Sequence, residues 1–255
     1  MRLVWRVGSL ALCGLLFCVA VHAGEDQIRG GDELLRAMHD RYQHNWYETL
    51  TFTQKSTTYK ADGTTTSETW YEALSLPGKL RIDIGPPTDG NGYLFSDGSL
   101  TSFKHGKIAE TRPFVHMLLV LGFDVCRQDP KITIDQVRQQ GFDLSKLHEE
   151  SWNGEPVYVV GAESGDLRSK QFWIEKKRLL FVRLIEPSDE DKTKMTDTRF
   201  VDYRQLSMGW VAARVDFLVD GKKTFGEEYS DIQINPKLDP AIFDPKQFAT
   251  RHWEK

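Results

Sequence analysis

Apolar and polar residues alternate with a period of two from residue 50 onward. Leu50 and Phe52 fall on one face of this segment, and the intervening Thr51 and Thr53 fall on the other. This alternation predicts a β-strand with one buried face. The Asp-Gly pair that follows at 62–63 favours a tight turn, so the pattern predicts a hairpin whose return strand covers residues 66–76.

The same pattern continues along most of the chain. Short alternating segments are separated by turn pairs such as Asp97-Gly98 and Asp220-Gly221. Short strands joined by tight turns predict a large antiparallel meander. The strands predicted after the first hairpin cover residues 79–84, 92–95, 100–104, 157–162, 170–175, 179–186, 198–205, 210–219 and 224–234.

Two amphipathic helices are predicted outside these strands. Residues 32–46 carry apolar side chains at spacings of three and four, and Asp32 is placed to cap the helix. Residues 132–147 predict a more polar helix, which Gly141 interrupts. Helices connected to a meander must bury their apolar side chains against one face of its sheet.

A third predicted helix is apolar on almost every side. Pro113 is suited to begin it, residues 114–121 are nearly all apolar, and Gly122 stands where a helix commonly ends. Such a segment is too apolar to lie in water. We therefore expect it to cover one face of the sheet.

Residues 1–23 have the pattern of a secretion signal. Arg2 and Arg6 precede an apolar run that ends in small residues before Gly24. The run is shorter than the about 20 apolar residues that a membrane span needs. We expect cleavage before Gly24 and one domain over residues 24–255, with an uncleaved N-terminal anchor as the alternative.

The charge of the predicted mature chain argues against nucleic acid as a partner. The full chain has 33 basic and 37 acidic residues, and removal of Arg2 and Arg6 leaves 31 basic residues and a net charge of −6. Binding to phosphate groups needs a concentrated basic surface. The sequence shows none.

Patterns for catalysis and metal binding are absent. The sequence contains neither a G-x-S-x-G elbow nor a Walker loop. His39 and His44 are five residues apart, so they do not share a helix face as metal ligands would, and the acidic residues of 186–191 lack the ligand spacing of a calcium loop. We expect no enzyme activity, cofactor or metal.

Cys126 is the single cysteine of residues 24–255. One cysteine excludes an intramolecular disulfide. We expect it to be buried as a small apolar side chain, and a reactive thiol or an intermolecular bridge is the alternative.

The order of several motifs resembles that of the periplasmic outer-membrane lipoprotein carriers, the LolA family. These motifs are FTQK at 52–55, LPGKL at 76–80, SDG at 96–98, PF at 113–114 and FDP at 243–245. The resemblance implies a mainly β fold: a half-open antiparallel barrel of about eleven strands, with helices on its concave face. It also implies that the helices act as a lid over a hydrophobic cavity that holds acyl chains.

The chain departs from the carrier pattern at one position. The carriers usually place an arginine immediately before the proline of the LPGKL motif, where it tethers the lid, but here that residue is Leu76. Arg81, in the following strand, is a candidate for the same role at the lid, with a surface or rim charge as the alternative.

The resemblance and the alternation together suggest which side chains line the cavity. The alternative is that they fill a closed core. Burying a methylene stabilises by roughly 0.8 kcal/mol, so apolar walls alone can hold an acyl chain. The candidates are Phe52, Leu74, Leu80, Ile82, Phe95 and Phe103 from the strands, and Phe114, Met117, Leu118 and Leu121 from the apolar helix.

Two function classes remain open. The first is a non-enzymatic, monomeric carrier in the periplasm of a Gram-negative bacterium, which sequesters a lipid or an acylated lipoprotein and exchanges it with inner- or outer-membrane transport proteins. The second is a sensor or interaction module on the same scaffold that binds an envelope protein.

Overall fold

A single antiparallel sheet of thirteen strands dominates the fold. The computed structural model describes residues 28–253, so the predicted secretion signal, 1–23, and its cleavage site lie outside the described part. The strand order is β6-β5-β4-β3-β2-β1-β13-β12-β11-β10-β9-β8-β7, which leaves β6 and β7 at opposite edges of a curved, unclosed sheet. The strands are β1 (Thr49–Tyr59), β2 (Thr65–Ser75), β3 (Lys79–Ile84), β4 (Gly92–Ser96), β5 (Ser99–Lys104), β6 (Lys107–Pro113), β7 (Leu147–Trp152), β8 (Glu155–Val160), β9 (Gln171–Glu175), β10 (Leu180–Pro187), β11 (Met195–Gln205), β12 (Trp210–Val219) and β13 (Lys222–Ile234).

The predicted mainly β fold, an antiparallel sheet that does not close into a barrel, is therefore confirmed, with two strands more than the sequence predicted. The two that were missed, β6 and β7, are the edge strands. Every residue of β6 is exposed, and β7 has no fully buried residue. Neither strand needs an apolar face, so neither shows the alternation that identifies a half-buried strand.

Three α-helices accompany the sheet: α1 (Gly31–Tyr42), α2 (Met117–Gly122) and α3 (Pro130–Gln139). All three are shorter than predicted. Trp46 lies beyond the end of α1 and is nevertheless 1 % exposed. Among residues 28–253, no helix is both long and apolar enough to span a membrane.

The predicted helix ends need correction. The side chain of Asp32 does not cap α1, which begins after Gly30; it lies in the first turn and forms an ion pair of 2.6 Å with Arg138 of α3. Pro113 ends β6 and does not begin α2. Leu147, which was predicted as the last residue of a helix, instead begins β7.

The two faces of the sheet are buried by different parts of the chain. We call the face that carries Phe52, Leu74 and Leu80 the inner face; it packs with the apolar side chains of all three helices in one large core. The opposite, outer face carries Ala73, Leu94 and Phe103. A C-terminal segment, residues 238–253, covers this part of the outer face.

Candidate functional site

A cavity of about 150 Å³ lies between the inner face and the chain around α2. Five of the side chains predicted to line a cavity are brought together here: Phe52, Leu74, Leu80, Ile82 and Leu118. The remaining lining residues are Glu72, His116, Leu119, Phe123, Phe200, Phe217, Glu227 and Tyr229. Most of the wall is apolar, because alternate residues of the central strands face inward.

Residues 114–121, which we call the lid segment, form one wall of this cavity. Leu119 and Leu121 are buried in the core, whereas Leu118 is only partly buried. The ring of Phe95 contacts both ends of the turn before α2, with centroids 5.8 Å from Phe114 and 4.6 Å from His116. The lid segment is thus held by side-chain packing against the sheet.

An open cleft of about 620 Å³ lies on the other side of the lid segment. His116, Leu118 and Phe217 line both the cleft and the cavity. Phe114 and Met117, also predicted as cavity residues, line the cleft and not the cavity. The lid segment therefore separates a small apolar cavity from a larger space open to solvent.

Two predicted residues lie on the wrong face of the sheet for this cavity. Phe103 is on the outer face, where its ring stacks on that of Phe248 at 3.9 Å. Neighbouring residues of a strand point to opposite faces, so Phe103 opposes Leu100, which packs with the inner core. This alternation along β5 was sufficient to place Phe103 on the face opposite to Leu100.

Arg81 is the second correction, because it contacts neither the lid nor the rim. It is fully buried on the outer face and makes a two-bonded ion pair with Asp83, at 2.7 and 2.8 Å. Its guanidinium also donates to the carbonyl oxygens of Ile242, Phe248 and Arg251. Arg81 therefore anchors the C-terminal segment and not the lid.

Two acidic side chains that were not among the predicted site residues face the cavity. Glu72 is 6 % exposed, and burial, with a contribution from Glu227, raises its pKa well above 4.5. Burial raises the pKa of Glu227 to about 7, although Tyr229 and Gln54 oppose the rise. The sequence did contain a sign of Glu72: it is an acidic residue between Trp70 and Leu74 on the apolar face of β2, where a charge is costly to bury.

The single imidazole at the cavity is neutral near pH 7. Burial lowers the pKa of His116 to about 4. Among the described residues that line the cavity, none is a lysine or an arginine. The polar part of the wall is therefore acidic and carries no permanent positive charge.

The chain that directly follows the lid segment is hydrogen-bonded to the turn that contains the LPGKL motif. The side chain of Asp124, just after α2, accepts a hydrogen bond of 2.9 Å from the backbone N–H of Gly78. Burial raises the pKa of Asp124 to about 7, and the bond from Gly78 opposes that rise. Leu76 itself packs against the inner core. A hydrogen bond from the backbone of this turn therefore reaches the residues that follow α2, close to Leu76.

The described residues show no constellation typical of a catalytic or metal site. Within 28–253, no three His, Cys, Asp or Glu side chains are grouped so that they could hold a metal ion. Cys126 is buried, and burial, followed by the charge of Asp124, raises the pKa of its thiol well above 9.0. A protonated, inaccessible thiol is a poor nucleophile.

Three solved structures share the fold at low sequence identity. A DUF1329 family protein from Desulfovibrio piger has a TM-score of 0.55 and 14% identity, over 84% of this chain and 95% of that one. A LolA superfamily protein from Nitrosomonas europaea has a TM-score of 0.51 and 12% identity, over 82% and 96%. An outer membrane lipoprotein-sorting protein domain from Vibrio parahaemolyticus has a TM-score of 0.53 and 14% identity, over 86% and 98%. No protein-family model and no curated protein matches the sequence.

Proposed function

We propose that this protein is a non-enzymatic periplasmic carrier that sequesters the acyl chain of a lipid or lipoprotein between its sheet and its lid segment. The observation that carries the proposal is the apolar cavity under residues 114–121, on a fold of the LolA type. A lipoprotein-sorting domain with the same fold supports a role in outer-membrane lipid or lipoprotein traffic. The secretion signal predicted in residues 1–23 supports export to the periplasm of a Gram-negative bacterium.

The size of the cavity requires the lid segment to move. A cavity of about 150 Å³ holds a molecule no larger than benzene. A long acyl chain therefore fits only if residues 114–118 shift and join the cavity to the cleft of about 620 Å³ beside it. Partly exposed Leu118 and a helix of six residues are suited to such a shift.

The energy of binding comes from apolar burial. Each methylene removed from water contributes roughly 0.8 kcal/mol, so a chain of about ten carbons gains roughly 8 kcal/mol before the costs of ordering and of lid displacement. Such a gain needs no metal or covalent bond. It suits a carrier that must later release its cargo to a membrane protein.

The test begins with residues 24–255 purified from cells without detergent. Native mass spectrometry and solvent extraction should find a bound lipid or acylated protein. Uptake of a long-chain alcohol that carries a pyrene group should raise the pyrene fluorescence. Apo protein alone, together with no uptake of this uncharged probe, would refute the carrier function and favour a module that binds an envelope protein.

A further inference from the structure

Resting on the proposed function, we propose that the cavity selects an amphiphile whose polar group is a protonated amine, held by Glu72 and Glu227. The ligand class is a single apolar chain that ends in a primary ammonium group. The chain would lie against the apolar wall formed by Phe52, Leu80 and Ile82. The ammonium group would fill the polar end of the same cavity.

Glu72 is the first observation that points to a missing donor. Its neighbours across the strand ladder on either side are Phe52 and Ile82, both apolar. Glu72 is 6 % exposed and lines the cavity, and none of the hydrogen bonds or ion pairs within residues 28–253 involves its carboxyl group, whose oxygens reach the cavity. A buried carboxyl group without a partner is costly, so a ligand that supplies donors would remove that cost.

The second observation is an excess of acceptors around Glu227. Tyr229 donates its hydroxyl hydrogen to Glu227 at 2.6 Å. Gln54 is fully buried on the same face, and its amide nitrogen donates to Ser56 at 2.8 Å. The amide oxygen of Gln54 has no partner among the described residues. A primary ammonium group offers three donors and no acceptor, which is the complement of this arrangement.

The charges around the site favour a cation and oppose a carboxylate. The titratable groups that line the cavity are Glu72, Glu227, Tyr229 and His116, and the last of these is neutral near pH 7. Strands β1, β3, β11 and β12 and residues 118–123 contribute only apolar side chains to the lining. In the cleft beyond the lid segment, Glu186, Asp189 and Glu190 outnumber Lys170.

The experiment compares three ligands with the same decyl chain: decylamine, decanol and decanoate, each below its micelle concentration. Each displaces the pyrene-labelled alcohol from the protein at pH 8. Because a hydrogen bond between charged groups is stronger than one between neutral groups, we expect decylamine to bind at least about 10-fold more tightly than decanol. Decanoate should bind most weakly. The advantage of decylamine should shrink at pH 6, because Glu227, whose pKa is raised to about 7, is then mostly protonated.

Two variants test the role of the carboxyl groups. Glu72→Gln and Glu227→Gln should each lose most of the preference for decylamine over decanol, because each removes one of the two carboxyl groups at the cavity. Glu228→Gln is the matched control, because Glu228 is the next residue of β13 and is exposed. It should keep the full preference. Circular dichroism checks that each variant is folded.

The outcomes separate the two proposals. Equal affinity for the three decyl ligands, or an unchanged amine preference in both cavity variants, would overturn the amine site while the carrier function stands. No uptake of the pyrene alcohol and no displacement by any decyl ligand would refute the carrier function itself. Loss of the amine preference in the cavity variants alone supports the site.

Discussion

The side chain of Asp124 accepts a hydrogen bond of 2.9 Å from the backbone N–H of Gly78. This bond joins the chain that follows α2 to the turn between β2 and β3. Gly78 has a positive φ of 83°, a conformation that suits glycine in such a turn. Asp124 is 1 % exposed. The two residues therefore link the chain that follows α2 to the sheet through a partly buried hydrogen bond.

Asp124→Asn should make the protein more stable above pH 7. The pKa of Asp124 is raised from 3.8 to about 7, so the folded protein binds this proton more tightly than the unfolded chain does. The stability that this group contributes is therefore fully present below pH 3.8 and is lost as the pH rises through 7. We expect the neutral asparagine to add about 1–3 kcal/mol to the free energy of unfolding at pH 8.

Urea unfolding of both proteins between pH 4 and pH 9 measures this difference. The asparagine variant should retain some pH dependence, because the raised pKa values of Glu72 and Glu227 act with the same sign. Parallel stability curves for the two proteins would contradict the prediction.

Arg81→Ala should destabilise the fold strongly. It leaves the carboxylate of Asp83 buried without a counter-ion and removes the donors from three carbonyl groups of the C-terminal segment. Breaking a buried ion pair by removing one partner costs about 3–5 kcal/mol. Urea denaturation measures the loss. Arg112→Ala is the control, because Arg112 is exposed and its nearest acidic partner, Glu110, is 3.9 Å away. A loss as small as that of the control would show that the segment does not depend on Arg81.

Leu118→Asp should reduce uptake of the pyrene alcohol at least about 10-fold while the β-sheet circular dichroism stays intact. Leu118 is partly exposed and lines both the cavity and the cleft, so an aspartate there reaches water but adds charge to the binding surface. Leu121→Asp should instead unfold the protein, because Leu121 is 1 % exposed. If Leu118→Asp also unfolded the protein, residue 118 would belong to the core and not to a lid.

Gly92→Ala should disrupt the pairing of β3 and β4 beside the cavity. A Cβ atom at residue 92 would lie 1.9 Å from the carbonyl oxygen of Ile82, a contact that only backbone movement can relieve. We expect a loss of more than about 2 kcal/mol in unfolding free energy. Gly98→Ala is the control: its φ is also positive, at 72°, but a Cβ atom there meets nothing within 4 Å. Its cost should be about 1 kcal/mol. Equal losses for the two variants would exclude the steric explanation.

The alternation of side chains was sufficient to predict most of the sheet. All eleven predicted strands are present, because a half-buried strand must place apolar residues at every second position. The edge strands β6 and β7 lack that requirement, so their sequences contain no such pattern. The helices were predicted in the right regions, but their ends depend on tertiary contacts.

The sequence by itself determined eleven of the thirteen strands, and with them which residues of a strand share a face. Only the tertiary structure decided that the predicted site residues Phe103 and Arg81 lie on the outer face of the sheet. Both faces of β3 are buried, so apolar content could not assign Arg81, and its partners in residues 242–251 are far away in sequence. The polar end of the cavity depends likewise on β1 lying between β2 and β13, which brings Glu72 and Glu227 from distant parts of the chain to one inner face. Long-range strand pairing sets that proximity, and local periodicity carries no information about it.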